Sequence, residues 1–202
     1  MTLPLSLAYA GQSTDSSDIL NGQVDFHVDH TNLNLDVTDA AGNVSGTSVA
    51  GGNAVDITTM NNTNVTNNQY VSSVSVSSDL NANVANTGGT VDLQSQAVCN
   101  SAGVSTDPAY TNVYSQQECD AQDPSASLNA NLQNIGNDVS LASTAVGNSF
   151  EEDTNAKYSN IQNYQINNSN INATTNANIV NVNGNVDASA TAIGNTAQII
   201  HY

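Results

Sequence analysis

The sequence has no tryptophan and no arginine, a single lysine (Lys157), two phenylalanines, two cysteines and three prolines among 202 residues. One cation cannot displace the counterions of DNA or RNA, so nucleic-acid binding is excluded, and polybasic attraction to anionic membranes is excluded with it. No stretch approaches the roughly 20 apolar residues of a membrane span. Good helix formers are too scarce for a helical bundle. Catalytic signatures are missing as well. There is no Gly-x-Ser-x-Gly elbow and no phosphate-cradling loop, and the three histidines (His27, His30, His201) lie near the chain ends.

Asparagine is abundant instead: 33 residues, accompanied by many Ser, Thr, Val and Gly. These types favour strands and turns. The 18 acidic residues give a net charge of -17, which taken alone would suggest disorder. Only 9% of residues are charged, however, 38% are hydrophobic, and Val and Ile alternate with polar residues, so an ordered all-β chain is expected.

Self-similarity carries the main signal. The motif Ala-[Val/Ile/Gly]-[Gly/Cys]-Asn starts at Ala50, Ala97, Ala145 and Ala192, at spacings of 47, 48 and 47. Extending each copy gives four ungapped blocks, 34–54, 81–101, 129–149 and 176–196. Each opens on Asn (Asn34, Asn81, Asn129, Asn176) and has Val ten residues later (Val44, Val91, Val139, Val186). A second Asn column, Asn53, Asn100, Asn148 and Asn195, lies close to the end. From the shared Val, every second residue is apolar or small, the pattern of a strand with one packed face. Gly42, Gly89, Asn137 and Gly184 precede this strand and Gly52, Cys99, Gly147 and Gly194 follow it; both sets read as corners, where positive φ is tolerated.

The reading is an all-β, β-helix-like β-solenoid of four 47–48 residue repeats, each about two coils, with the 21-residue block as one coil and the variable remainder, including the alternating run Val24 to Val28, as a second. The Asn columns are expected to form structural ladders, each amide bonding the copy stacked above it. Residues 1–10 end in Ala8-Tyr9-Ala10 and read as the remnant of an export signal; 11–33 is a lead-in coil and 34–202 the solenoid. Export favours a disulfide between Cys99 and Cys119. The sequence stops at Tyr202 without a polar cap, which suggests assembly through that end or a longer array.

The run Ala190-Thr191-Ala192-Ile193-Gly194-Asn195 and its relative Ser143-Thr144-Ala145-Val146-Gly147-Asn148 resemble repeats of curlin-like secreted proteins, with the nearest likeness to holdfast-anchor surface proteins of stalked bacteria. Curlin repeats have about half this period. The resemblance implies a secreted, outer-membrane-associated or cell-surface protein with an anchoring, matrix or biofilm role.

Few residues suggest chemistry. Asp25, His27 and Asp29 alternate on the polar face of one expected strand and have the donor types for a divalent metal, but without the spacing of a known site they read as solvent-facing. Glu151-Glu152-Asp153 lacks a calcium loop and reads as a solvated cluster. No cofactor is expected. The expected function is non-enzymatic surface adhesion, with other copies, matrix proteins or polysaccharide as partners. The alternative is a carbohydrate-binding or carbohydrate-cleaving β-helix, disfavoured because the seven tyrosines are scattered along the chain.

Overall fold

The computed structural model describes residues 17–73, 75–107 and 110–202. The expected export remnant at 1–10 lies outside these residues. Among them are twelve strands and no helix, hence no helix long and apolar enough to cross a membrane. Each rung has three strands: β1 (Ser17–Asp25), β2 (Asp29–Thr38) and β3 (Val44–Thr59) in the first; β4 (Thr63–Val71), β5 (Val76–Thr87) and β6 (Val91–Thr106) in the second. The third has β7 (Tyr110–Cys119), β8 (Ser125–Ile135) and β9 (Val139–Thr154), and the fourth β10 (Tyr158–Asn167), β11 (Asn172–Val182) and β12 (Val186–His201).

Every pairing is parallel and joins equivalent strands of successive rungs. The three resulting sheets have the orders β1-β4-β7-β10, β2-β5-β8-β11 and β3-β6-β9-β12. The solenoid is therefore as expected from the repeat, but one repeat makes one coil and not two. The 21-residue block covers only part of a coil, and the variable remainder closes the same turn. The described part of 11–33 accordingly supplies β1 and the start of β2 to the first rung itself, and the fourth rung is a complete set of three strands.

Alternation sets the inward face. In β3 the sequence Val44, Gly46, Ser48, Ala50 points inward, and the parity then changes so that Asn53, Val55, Ile57 and Thr59 follow it inside. The corner expected at Gly52, Cys99, Gly147 and Gly194 is thus a bend within one continuous 16-residue strand. This bend divides the core. The first half of each long strand packs on the second sheet through Val91, Leu93, Leu80 and Leu132. The second half packs on the first sheet through Val104, Val113 and Phe150. Val44, Val91 and Val139 are buried; Val186 holds the same register but is 49% exposed, because no described rung follows it.

The left-handed positions also differ from expectation. Positive φ falls on Asp39, Asn86, Asn134 and Asn181, types whose short polar side chains tolerate it, and not on Gly42, Gly89, Asn137 and Gly184. The glycines answer a packing demand. A methyl group on Gly89 or Gly184 would stand 2.6 Å from the backbone carbon of Gly42 or Asn137 in the preceding rung. Gly42 itself has open space around the same position. Gly89→Ala is accordingly expected to cost about 1–3 kcal/mol in urea unfolding, while Gly42→Ala stays within about 0.5 kcal/mol of the parent.

Candidate functional site

The two expected Asn columns both lie in register, in different surroundings. Asn34, Asn81, Asn129 and Asn176 face solvent on the second sheet, linked by amide bonds of 3.1, 3.0 and 3.0 Å. Asn53, Asn100, Asn148 and Asn195 stand at the bend of the long strands, linked at 3.0, 2.7 and 2.7 Å. In this inner ladder the second N–H of each amide crosses to the first sheet, from Asn53 to Tyr70 O, Asn100 to Glu118 O and Asn148 to Ile166 O.

The structure adds ladders outside the 21-residue blocks. Gln23, Gln69, Gln117 and Gln165 form an inner chain with three links of 2.8 Å. Each Gln also donates to a carbonyl of the long strand: Ala54, Ser101, Ser149 and Thr196. The two inner ladders thus clasp the first and third sheets reciprocally. Two outer ladders start on acids, Asp36-Asn83-Asn131-Asn178 and Asp39-Asn86-Asn134-Asn181. Between the Asn34 and Asp36 rows an open trough of about 830 Å³ runs across the rungs. Gln spacings of 46, 48 and 48 in the sequence were the available signal for the buried Gln chain.

Cys99, at the bend of β6, and Cys119, at the end of β7, form a disulfide between the second and third rungs, with both residues fully buried. Closing a loop of this length contributes about 3 kcal/mol.

Asp25, His27 and Asp29 do not share one strand. The chain turns between β1 and β2, and the backbone N–H of His27 donates to Asp25 Oδ1 at 2.9 Å, a local bond that favours the turn. Val24, Phe26 and Val28 are consequently exposed. Asp25 and Asp29 take inward positions; His27 points outward, with its ring nitrogen 3.6 Å from Asp25. The Oδ2 atoms of both carboxyls are shut from solvent and have no donor among the described residues. Burial, together with the hydrogen bond and charge of Asp25, raises Asp29 to about 6. For Asp25 burial acts upward but is outweighed by the bonds from Asp29 and His27, so its pKa is lowered. Below about pH 6 a proton on Asp29 supplies the donor that this pair of carboxyls otherwise lacks. No group of three His, Cys, Asp or Glu residues suited to a metal occurs among the described residues.

Glu152 overturns the solvated reading of its cluster. It occupies the inward column of Ile57, Val104 and Ile199 and is fully buried beside Phe150. Neither carboxyl oxygen has a hydrogen-bond partner, since the neighbouring Thr106 hydroxyl donates to Thr154 instead. Burial, reinforced by the charge of Asp153, raises its pKa to about 7.

The tyrosines that are scattered in sequence converge in space. Tyr110 and Tyr114 on β7, and Tyr158 and Tyr164 on β10, are all exposed on the outer face of the first sheet. Tyr110 and Tyr158 are direct partners in register across the rungs. Rows of Asn and Gln, including the ladder Asp18-Asn64-Asn112-Asn160, run between them.

A family model for holdfast attachment protein D matches residues 30–201, from β2 through β12. No curated protein and no solved structure matches the chain.

Two measurements probe the interior. Asn148→Ala strands the buried Asn100 amide of the preceding rung and the Ile166 carbonyl of the first sheet and is expected to cost about 1–3 kcal/mol, whereas Asn129→Ala on the solvated ladder changes stability by less than about 0.5 kcal/mol. Because Glu152 binds its proton more tightly when folded, stability falls as pH rises from 4.5 towards 7 and levels off above. A shift of this size corresponds to about 3 kcal/mol. Unfolding titrations across that window are expected to show this loss, with much of it abolished in Glu152→Gln and the remainder assigned to the Asp25–Asp29 pair.

Proposed function

The chain belongs to the holdfast attachment protein D family, and from this premise we propose that it is a non-enzymatic structural component of anchoring at the bacterial cell surface. The observation that carries the reading is the extent of the match. Residues 30–201 take in part of the first rung and all of the other three, so the family likeness belongs to the stacked solenoid as a whole and not to a local motif. Membership supports attachment at the cell surface as its role; secretion, outer-membrane association and participation in a biofilm matrix are the finer parts of the proposal.

The physical build suits this use. Three parallel sheets joined by interior amide ladders make a stiff unit whose faces are long, regular and open to contact. Its partners on this reading are other copies, surface or matrix proteins, and polysaccharide. With a net charge of -17, copies repel one another at low ionic strength, so association strengthens with salt, calcium or acid. The carbohydrate reading draws support from the gathering of four exposed tyrosines on one face.

Deleting the gene is expected to abolish or sharply reduce surface attachment, restored by the intact gene in trans. Normal attachment of the deletion strain would overturn the anchoring role. The purified protein is expected to release no reducing ends from polysaccharides, and sustained turnover would replace the structural reading with a glycosidase.

A further inference from the structure

We infer that the outer face of the first sheet, centred on Tyr110, Tyr114, Tyr158 and Tyr164, binds a neutral polysaccharide by stacking pyranose rings on its tyrosines. The inference deepens the anchoring reading and rests on it, since it names the class of partner that the anchored solenoid holds.

Ring orientation is the first argument. The Tyr110 hydroxyl reaches the amide of Asn112 at 3.1 Å, and the Tyr114 hydroxyl donates to Gln116 at 3.2 Å. In each case the partner is two residues along the same strand and on the same face. A phenol reaches it by leaning along the sheet, which leaves ring surface open to solvent. Asn112 is itself held by Asn64 at 2.8 Å and accepts from Asn160 at 3.3 Å, so the amide ladder fixes where the Tyr110 ring lies. The rings are tethered to the sheet by their hydroxyls and are still 46% and 41% exposed.

Spacing and chemistry supply the second argument. Along β7 the outward residues read Tyr110, Asn112, Tyr114, Gln116, alternating ring and amide, with the two rings about 13 Å apart at the rise of a strand. A pyranose has an apolar C–H face and a rim of hydroxyls; the first matches a ring and the second matches the amides beside it. A depression of about 220 Å³, lined by Gly22, Asn68, Tyr70, Gln116 and Glu118, continues the same face towards its other edge.

Charge chooses between sugars. Asp18 and Glu118 border the face and Lys157, whose ammonium sits over one face of the Tyr158 ring at 5.2 Å from its centroid, is its one cation, within a chain of net charge -17. Acidic polymers are repelled and neutral ones are not.

The test is binding of the full chain to an array of neutral glucans, mannans and galactans, with pectate and alginate as acidic counterparts. The parent is expected to retain neutral polysaccharide. Tyr110→Ala/Tyr114→Ala is expected to bind about tenfold more weakly or worse, Tyr110→Phe/Tyr114→Phe within about threefold, and Asn129→Ala on the second sheet unchanged. Thermal melts confirm that each variant is folded. The inference is overturned if no neutral polysaccharide is retained, if only the acidic ones are, or if the double alanine variant binds as tightly as the parent. Sedimentation of the same proteins covers a second occupant: dissociation of an oligomer by the tyrosine substitutions would assign the face to contact between copies. Because the anchoring role is judged separately by the deletion strain, loss of sugar binding with intact dependence of attachment on the gene refutes this inference alone.

Discussion

A primary amide buried inside this solenoid has two N–H donors and an oxygen to satisfy, and water is not at hand. The inner Asn and Gln residues meet the demand by bonding the same residue on the neighbouring rung and a carbonyl on the adjoining sheet. Neither bond survives a slip in register, because a slip of one residue would turn every inward amide to the outside. The apolar core alone is less particular, since Val, Ile and Leu interchange among its columns. The amides therefore specify the stacking, and the hydrophobic clusters on either side of the bend supply bulk stabilisation.

The same register handles the acidic surplus. Every carboxylate in a paired strand position lies beside an uncharged residue on the next rung: Asp92 between Ser45 and Ser140, Asp187 on Ser140, Glu118 between Tyr70 and Ile166. Like charges at strand separation, directly opposed, would destabilise the sheet. At Asp18, Asp36 and Asp39 an acid instead accepts the last amide of an outer ladder, a role suited to a group with acceptors and no donor. Glu152 stands apart, because its partners in register, Val104 and Ile199, are apolar and burial holds its pKa well above the usual carboxylate range.

Much of this is legible in the sequence. The spacing of the Ala50, Ala97, Ala145 and Ala192 motifs reports the rung length directly, and alternation after Val44 and its counterparts identifies the inward face of the long strand. The number of coils was not legible, because the part of each repeat that completes the turn is conserved in geometry but not in residue type: Asp25, Val71, Cys119 and Asn167 share one column. The corner at residues 26–28 was hidden by hydrophobic alternation, since Val24, Phe26 and Val28 look like a packed face and are exposed. Glu152 and the tyrosine face were beyond the reach of local pattern. Each depends on which residues of different rungs come to lie together: Tyr110 meets Tyr158 in register, while Tyr114 and Tyr164 reach the same face from positions two residues apart.

The disulfide has a mechanical consequence. The rungs are joined by bonds running along the axis, so a pull on the two ends of the chain loads them one rung at a time. Each rung that peels away releases about 47 residues of slack, about 160 Å at the length of an extended chain. The bond from Cys99 to Cys119 straddles the second and third rungs and keeps the segment between its ends out of that extension. Under tension the protein would lengthen in steps, dissipating work at each one, with a covalent stop between its two central rungs.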